Sequence, residues 1–181
     1  MNTNPEYSVV LPTYNNELYL EEAIESVLNQ TFSDFELIVI DDCSTDSSNG
    51  ILATYEKLDN RIKVLKNHRN IGVARSLNKG VELARGKYIA RMDGDDICIP
   101  ERFEKQHMYL ESHPEVGLLG TQILIIDKDG TLDPEFVWEQ PTKSGINAWH
   151  LLYTTPLCHP SVVMRKELLL AVNGYNAGYI N

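Results

Sequence analysis

Phe35-Glu36-Leu37-Ile38-Val39-Ile40-Asp41-Asp42 is the stretch on which the architecture turns. From Phe35 to Ile40 it is nearly all apolar and rich in branched residues, too short for a helix, and halted by two aspartates. That is how a strand buried on both faces reads. Upstream, Ser8-Val9-Val10-Leu11 has the same character and is ended by Pro12. Between the two runs, Leu20, Ala23, Ile24, Val27 and Leu28 fall at helical spacing over 16–30, with Asn15 or Asn16 as N-cap candidates.

The alternation continues outward. Ser44-Thr45-Asp46 offers caps for a helix bearing Ile51, Leu52, Tyr55 and Leu58 on one face, and 62–65 is a third strand. A helix over 72–84 carries Val73, Leu77, Val81 and Ala84, with Gly86 as its C-terminal stop. Tyr88-Ile89-Ala90-Arg91-Met92 is a fourth strand and runs into Asp93-Gly94-Asp95-Asp96. Strand–helix–strand repeats at these lengths require right-handed parallel crossovers. The expected fold is therefore α/β: a Rossmann-like, doubly wound, mostly parallel sheet with helices on both faces.

Beyond Pro100 the rhythm loosens. A helix is expected over 101–112, a strand over 116–126 and a turn at Asp127-Lys128-Asp129-Gly130. A helix around Trp149 and Leu152 follows a weaker stretch with Trp138. Pro160 to Met164 reads as a strand, and Lys166 to Val172 as a short helix stopped at Asn173-Gly174. No linker or repeat interrupts the chain, so one domain is expected.

Composition narrows the chemistry. In 181 residues, 43% are apolar and 23% charged, an ordinary globular balance. The formal charge of −10 argues against nucleic acid as a partner, because phosphate binding needs a basic stripe. Three scattered cysteines, Cys43, Cys98 and Cys158, form no CxxC pair and suit a reducing compartment. The N-terminus lacks a basic, then apolar, leader, and no apolar run is long enough to span a bilayer. A cytoplasmic location is the expectation.

In an open α/β sheet, ligands bind beyond the carboxyl ends of the strands. The residues there are Pro12-Thr13-Tyr14-Asn15, Asp41-Asp42 and Asp93-Gly94-Asp95-Asp96. So many carboxylates at one edge repel one another unless a cation or hydrogen-bond donors compensate. Asp93 and Asp95, with Gly94 allowing a tight turn between them, can aim hard oxygens at one Mg²⁺ or Mn²⁺ ion. An Asx-rich turn that caps its own backbone is the bland alternative for such a tripeptide. Its place at a strand end, with Asp41-Asp42 beyond the neighbouring strand, favours the metal. Neither GxGxxG nor GxxxxGK[ST] occurs, so a bound diphosphate would have to be held by the metal rather than by a glycine cradle. Tyr14 and the Asp41-Asp42 pair would then recognise base and ribose.

Four segments, 9–16 (VVLPTYNN), 26–46 (SVLNQTFSDFELIVIDDCSTD), 70–78 (NIGVARSLN) and 84–96 (ARGKYIARMDGDD), together resemble glycosyltransferase family 2. The resemblance runs from about residue 7 to the end and implies an inverting, nucleotide-sugar-dependent transferase of the GT-A fold. It implies that Pro12, Thr13 and Tyr14 pack on the nucleotide base, that Asp42 reads the base edge, and that Arg75 lies near base and diphosphate. Asp93 would face ribose or donor sugar and Asp95 the metal, with Asp96 sharing that work. His159, in His159-Pro160-Ser161, would lie near acceptor and donor sugar; a structural hydrogen-bonding role is the alternative. Residues 7–100 would then form the nucleotide-sugar-binding half, and 101–181 the start of the acceptor-binding half.

The implied partners are a nucleotide-sugar donor, with UDP-sugar the leading class, and a saccharide or lipid-linked saccharide acceptor. Mn²⁺ or Mg²⁺ is the implied cofactor, cell-surface polysaccharide synthesis the implied setting, and the inner membrane face a workplace. Family members continue past a segment like Gly174-Tyr175 into an acidic pair that supplies the general base. The catalytic base is thus expected beyond Asn181, as though the catalytic domain were cut short, leaving an inactive or weakly active chain; Glu135 and Glu139 are candidates by elimination only. Two rivals stand beside this reading: a metal-dependent phosphatase or nucleotidyltransferase, and a non-catalytic sugar-nucleotide-binding domain.

Overall fold

The computed structural model describes residues 4–133 and 157–178. Trp138, the expected helix around Trp149 and Leu152, and Glu135 and Glu139 lie outside the described residues.

Six strands form one sheet: β1 (Tyr7–Thr13), β2 (Phe35–Asp41), β3 (Ile62–Lys66), β4 (Tyr88–Arg91), β5 (Leu118–Leu119) and β6 (Val163–Arg165). Their spatial order is β3-β2-β1-β4-β6-β5. The first four are parallel, and β6 runs antiparallel to both β4 and β5. Helices α1 (Leu20–Leu28), α2 (Ser48–Leu58), α3 (Val73–Leu83), α4 (Arg102–Ser112) and α5 (Lys166–Ala171) cover the sheet.

The continuous apolar runs of β1 and β2 are explained by burial of both faces. Val9, Leu11, Leu37 and Val39 face one core, shared with Leu20, Ile24 and Val27 of α1 and Phe103 and Leu110 of α4. Val10, Ile38 and Ile40 face the other, shared with Leu77 and Val81 of α3 and Leu169 of α5. Alternate residues serve opposite layers, so the polar positions that mark a one-sided strand are missing. From β1 the chain winds outward through β2 to β3, then returns to place β4 on the other side of β1. That reversal puts the crevice beyond the carboxyl ends of β1 and β4.

Several local expectations are corrected. Pro12 does not end β1: the strand continues to Thr13, with Pro12 opposite Ile40 and Thr13 opposite Asp41. Neither Asn15 nor Asn16 caps α1 with its side chain; the helix begins later, after Tyr19, and Asn16 contributes its carbonyl to the Tyr19 and Leu20 N–H groups. Ser47, not Ser44 or Thr45, precedes α2, although Asp46 Oδ1 accepts from Ser48 N at 3.0 Å. Gly86 is no helix stop. It is required because a Cβ there would lie 2.6 Å from Ser8 N and Tyr7 C on β1.

The largest difference is at 116–126, where only Leu118–Leu119 join the sheet and Ile126 makes an isolated antiparallel bridge to Leu132. Their partner β6 is itself three residues long, and Thr121 N leaves the ladder to bond Ser161 Oγ at 3.1 Å. His159–Ser161 is a turn of 3₁₀ helix rather than the start of a strand. The stop at Asn173-Gly174 is as expected. Both residues take positive φ (62° and 72°), and Gly174 N bonds Leu169 O at 2.9 Å to close α5.

Candidate functional site

A cleft of about 450 Å³ opens at the reversal point, lined among others by Pro12, Thr13, Tyr14, Asp42, Gly72, Arg91, Asp93, Gly94 and Asp95. The loops after β1 and β2 build its wall by cross-bonding. Asn15 N donates to Ser44 Oγ (3.0 Å), Asn16 N to Ser48 Oγ (3.1 Å), and Thr45 N to Asn15 Oδ1 (2.8 Å). Asn15 and Cys43 take φ of 55° and 71°, which turns each loop sharply away from its strand. Ser44, Thr45 and Asp46, expected as helix caps, therefore bind the neighbouring loop, with Asp46 Oδ2 accepting from Glu17 N at 3.0 Å. Tyr14 lines the cleft and is left 46% exposed, an aromatic ring accessible from it.

Asp42 is only 4% exposed, and its carboxylate organises the far wall. Oδ1 accepts from Ile71 N at 2.9 Å and Asn67 Nδ2 at 2.8 Å, and Oδ2 accepts from Gly72 N at 2.8 Å. Gly72, at φ 87°, is the residue from which α3 starts. One aspartate thus fixes the entry to a helix whose N-terminus points at the cleft, while Oδ2 keeps a lone pair free.

Asp93, Asp95 and Asp96 come together where β4 ends. One carboxylate oxygen from each lies within 4.8 Å of the other two, a spacing that fits one hard divalent cation. The crowding is visible in their acidity. Burial raises the Asp93 pKa, with Asp95 adding to the shift and Arg91 opposing it. Burial, then Asp93 and Asp95, lift Asp96 to about 6. Gly94 lets this turn close on β1, since a Cβ there would sit 3.0 Å from Thr13 Oγ1.

Arg91 was not among the residues singled out from the sequence. It is 5% exposed, lines the cleft, and is ion-paired through Nη1 with Asp93 Oδ2. Its Nε and the Thr13 hydroxyl have no hydrogen-bond partner among the described residues. Two orphaned polar atoms on a cleft wall are what an absent polar ligand would satisfy. The available signal was one charge inside the apolar strand Tyr88–Met92, because an arginine there must be buried with a partner. Asn16, Asn70 and Ser76 also line the cleft; they lie in the segments 9–16 and 70–78 but were not singled out there as site residues.

Two other residues named from the sequence stand at the margins. Arg75 is exposed on the first turn of α3, its Nη1 donating to Ile71 O at 3.1 Å, and is not among the residues lining the cleft. His159 is exposed as a residue, but its ring packs edge-on to Tyr175 with centroids 5.3 Å apart. Partial burial of the ring and the nearby Arg91 charge push its pKa down, favouring the neutral imidazole.

The family profile described as "Glycosyl transferase family 2" matches residues 8–171. A curated relative from Methanocaldococcus jannaschii, the uncharacterized glycosyltransferase MJ1057, is 40% identical over 91% of this chain and 57% of its own length. The O-antigen biosynthesis glycosyltransferase WbnJ of Escherichia coli is 35% identical over 95% of this chain and 66% of its own. The chain thus spans about three fifths of the length of such relatives. Among solved structures, S. aureus TarS 1-349 in complex with UDP-GlcNAc superimposes with a TM-score of 0.75 at 24% identity, covering 94% of this chain and 48% of that 1-349 chain. Mannosyltransferase PcManGT from Pyrobaculum calidifontis, in complex with GDP-Man and Mn²⁺, gives 0.72 at 19% identity over 98% of this chain and 49% of that one. At those identities the structural likeness speaks to the fold, which is GT-A.

Proposed function

The chain belongs to glycosyltransferase family 2, and from that membership we propose that the cleft beyond β1 and β4 binds a nucleotide-diphospho-sugar for transfer to an acceptor hydroxyl. The observation that carries the proposal is the convergence of Asp93, Asp95 and Asp96 at the edge of a cleft walled by Tyr14 and Asp42. Donor complexes of TarS and PcManGT, proteins of the same fold, support the ligand class; the Mn²⁺ of PcManGT supports a divalent ion.

The acidic cluster would hold Mg²⁺ or Mn²⁺ through Asp95, Asp93 and Asp96. A bound ion of this kind neutralises charge on a diphosphate leaving group. The chain's own residues do the rest. Tyr14 stacks on the base, Pro12 and Thr13 shape its slot, and the free lone pair on Asp42 Oδ2 accepts from a base N–H, as uracil provides. Arg91 is placed to lend positive charge to the diphosphate once Asp93 turns toward its ligand. The N-terminus of α3, held by Asp42, adds its dipole to the same wall. Reaction by a single displacement inverts the anomeric centre. His159, held neutral by burial and the Arg91 charge, would on this reading contact donor sugar and acceptor.

On this reading 7–100 is the donor half and 101–181 begins the acceptor half. A saccharide acceptor, in a pathway to surface polysaccharide, is consistent with relatives such as WbnJ. Among the described residues no helix is long and apolar enough to cross a membrane.

Calorimetric titration of UDP with Mn²⁺, then with EDTA, tests the proposal. Asp95→Ala is expected to weaken Mn²⁺-dependent UDP binding by about tenfold or more, as loss of a metal ligand does. Equal affinity in the variant, or in EDTA, would refute the metal's role.

A further inference from the structure

At the end of the sheet opposite the cleft, three polar atoms that the fold buries have no hydrogen-bond partner among the described residues. They are Glu6 Oε2, the Tyr7 hydroxyl and His107 Nδ1. Glu6 immediately precedes β1, while His107 and Glu111 stand one turn apart on α4 and so share a face. One ligating atom from each of Glu6, His107 and Glu111 lies within 4.8 Å of the other two.

Tyr7 is the independent witness that this spot expects a ligand. It is 0% exposed, with its ring 5.8 Å from that of His107 and 5.3 Å from that of Tyr88. Burial, then Tyr88, Glu111 and Glu6, raise its pKa against the opposing charge of Arg102, so the hydroxyl stays protonated within electrostatic reach of both acids. Buried polar atoms in folded proteins nearly always find a hydrogen-bond partner, so three orphans in one place mark a missing one.

The nearby cations do not supply it. Lys87 Nζ and the Tyr88 hydroxyl both donate to Glu111 Oε1, at 2.5 and 2.6 Å, and Arg165 Nη1 donates to the Tyr88 hydroxyl at 2.9 Å. Neither Glu6 Oε2 nor His107 Nδ1 gains a bond from them. Glu111 keeps its second oxygen for another ligand.

We propose that Glu6, His107 and Glu111 form a second cation site, of the transition-metal class with Zn²⁺ the best fit, tying the start of β1 to α4. An imidazole nitrogen beside two carboxylates disfavours Mg²⁺ and Ca²⁺, which take oxygen, and matches the mixed N/O set of zinc. Water completing the ion's coordination gives the Tyr7 hydroxyl its partner. The site is structural, since it lies across the sheet from the donor cleft and touches nothing proposed to react.

The test removes the cleft's metal chemistry first. In an Asp93→Ala/Asp95→Ala background, ZnCl₂ titration is expected to show one bound Zn²⁺ per chain and a raised Tm. Adding His107→Gln or Glu6→Gln should each weaken binding by about tenfold or more while circular dichroism is unchanged. Co²⁺ in place of Zn²⁺ should give a visible d–d band that His107→Gln abolishes, reporting imidazole ligation directly. Zn²⁺ affinity equal in all three proteins, a Co²⁺ band that survives His107→Gln, or no Zn²⁺ bound at about hundredfold excess would each overturn the site. None of these outcomes depends on whether the cleft binds a sugar nucleotide.

Discussion

Three donors converge on the two oxygens of Asp42, and two of them are backbone N–H groups at the entry to α3. Asp42→Asn keeps the shape but turns an amide N–H toward one of those donors. A cost of about 1–3 kcal/mol in urea unfolding is expected, together with weaker UDP binding, because the helix entry loses its anchor. Asp96 makes the opposite case. Its folded pKa, about 6, lies above the ordinary carboxylate value, so the folded state holds the proton more tightly than the unfolded state. The stabilisation from protonated Asp96 is complete below the unfolded pKa and is lost as pH rises through about 6. Asp96→Asn should therefore raise the Tm of the metal-free protein at about pH 7.5, with the gain shrinking toward about pH 4.5. A constant difference across that range would show that carboxylate crowding is not what Asp96 suffers.

Among elements, the starts of β1 and β2 are tied to the turn before β4 by one buried carboxylate. Glu36, 2% exposed, accepts from Ser8 Oγ (2.8 Å), Arg85 N (2.7 Å) and Lys63 Nζ (2.9 Å). Burial would raise its pKa, but the Arg85 backbone N–H, Lys63, Ser8 and the Arg85 side chain together hold it below the usual value. A depressed acid stabilises above its unfolded pKa and loses that contribution as pH falls through the folded one. Glu36→Gln should thus lower urea-unfolding stability at neutral pH, by about 1–3 kcal/mol, and matter little in acid. Gly86→Ala probes the same junction sterically. Its Cβ would meet the β1 backbone at 2.6 Å, and backbone yields poorly, so about 1–3 kcal/mol of destabilisation is expected from urea unfolding. Element identity was legible here because buried parallel strands and amphipathic helices have different periods. Boundaries were less so: the Asn15 side chain went to the next loop, and α1 therefore began at Leu20.

At the scale of the whole molecule, the cleft exists because two strands, β1 and β4, far apart in sequence meet at one reversal of strand order. Occupying it should stabilise the entire fold, since a ligand that binds only the folded state adds RT ln(1 + [L]/Kd), about 2.7 kcal/mol at a hundredfold excess over Kd. For a domain of this size that reads as a Tm rise of about 5–10 °C with UDP and Mn²⁺ together. The rise should vanish in EDTA and in Asp95→Ala. The weaker patterning after Pro100 has its cause at this scale as well. The partners of β5 and β6 are each other and the edge of β4, so the stretch 116–126 could not be assigned from its own apolar content.

By itself the sequence determined the layered α/β fold, the family and the acidic strand-end turn. These depend on local period and on residue types in fixed order, which no distant contact can alter. Only the tertiary structure decided that Arg91 pairs with Asp93 inside the cleft, that Arg75 stands outside its lining, and that Glu6 meets His107. Those relations are set by strand order and by how helices seat on the sheet, and packing of this kind leaves no periodic trace along the chain.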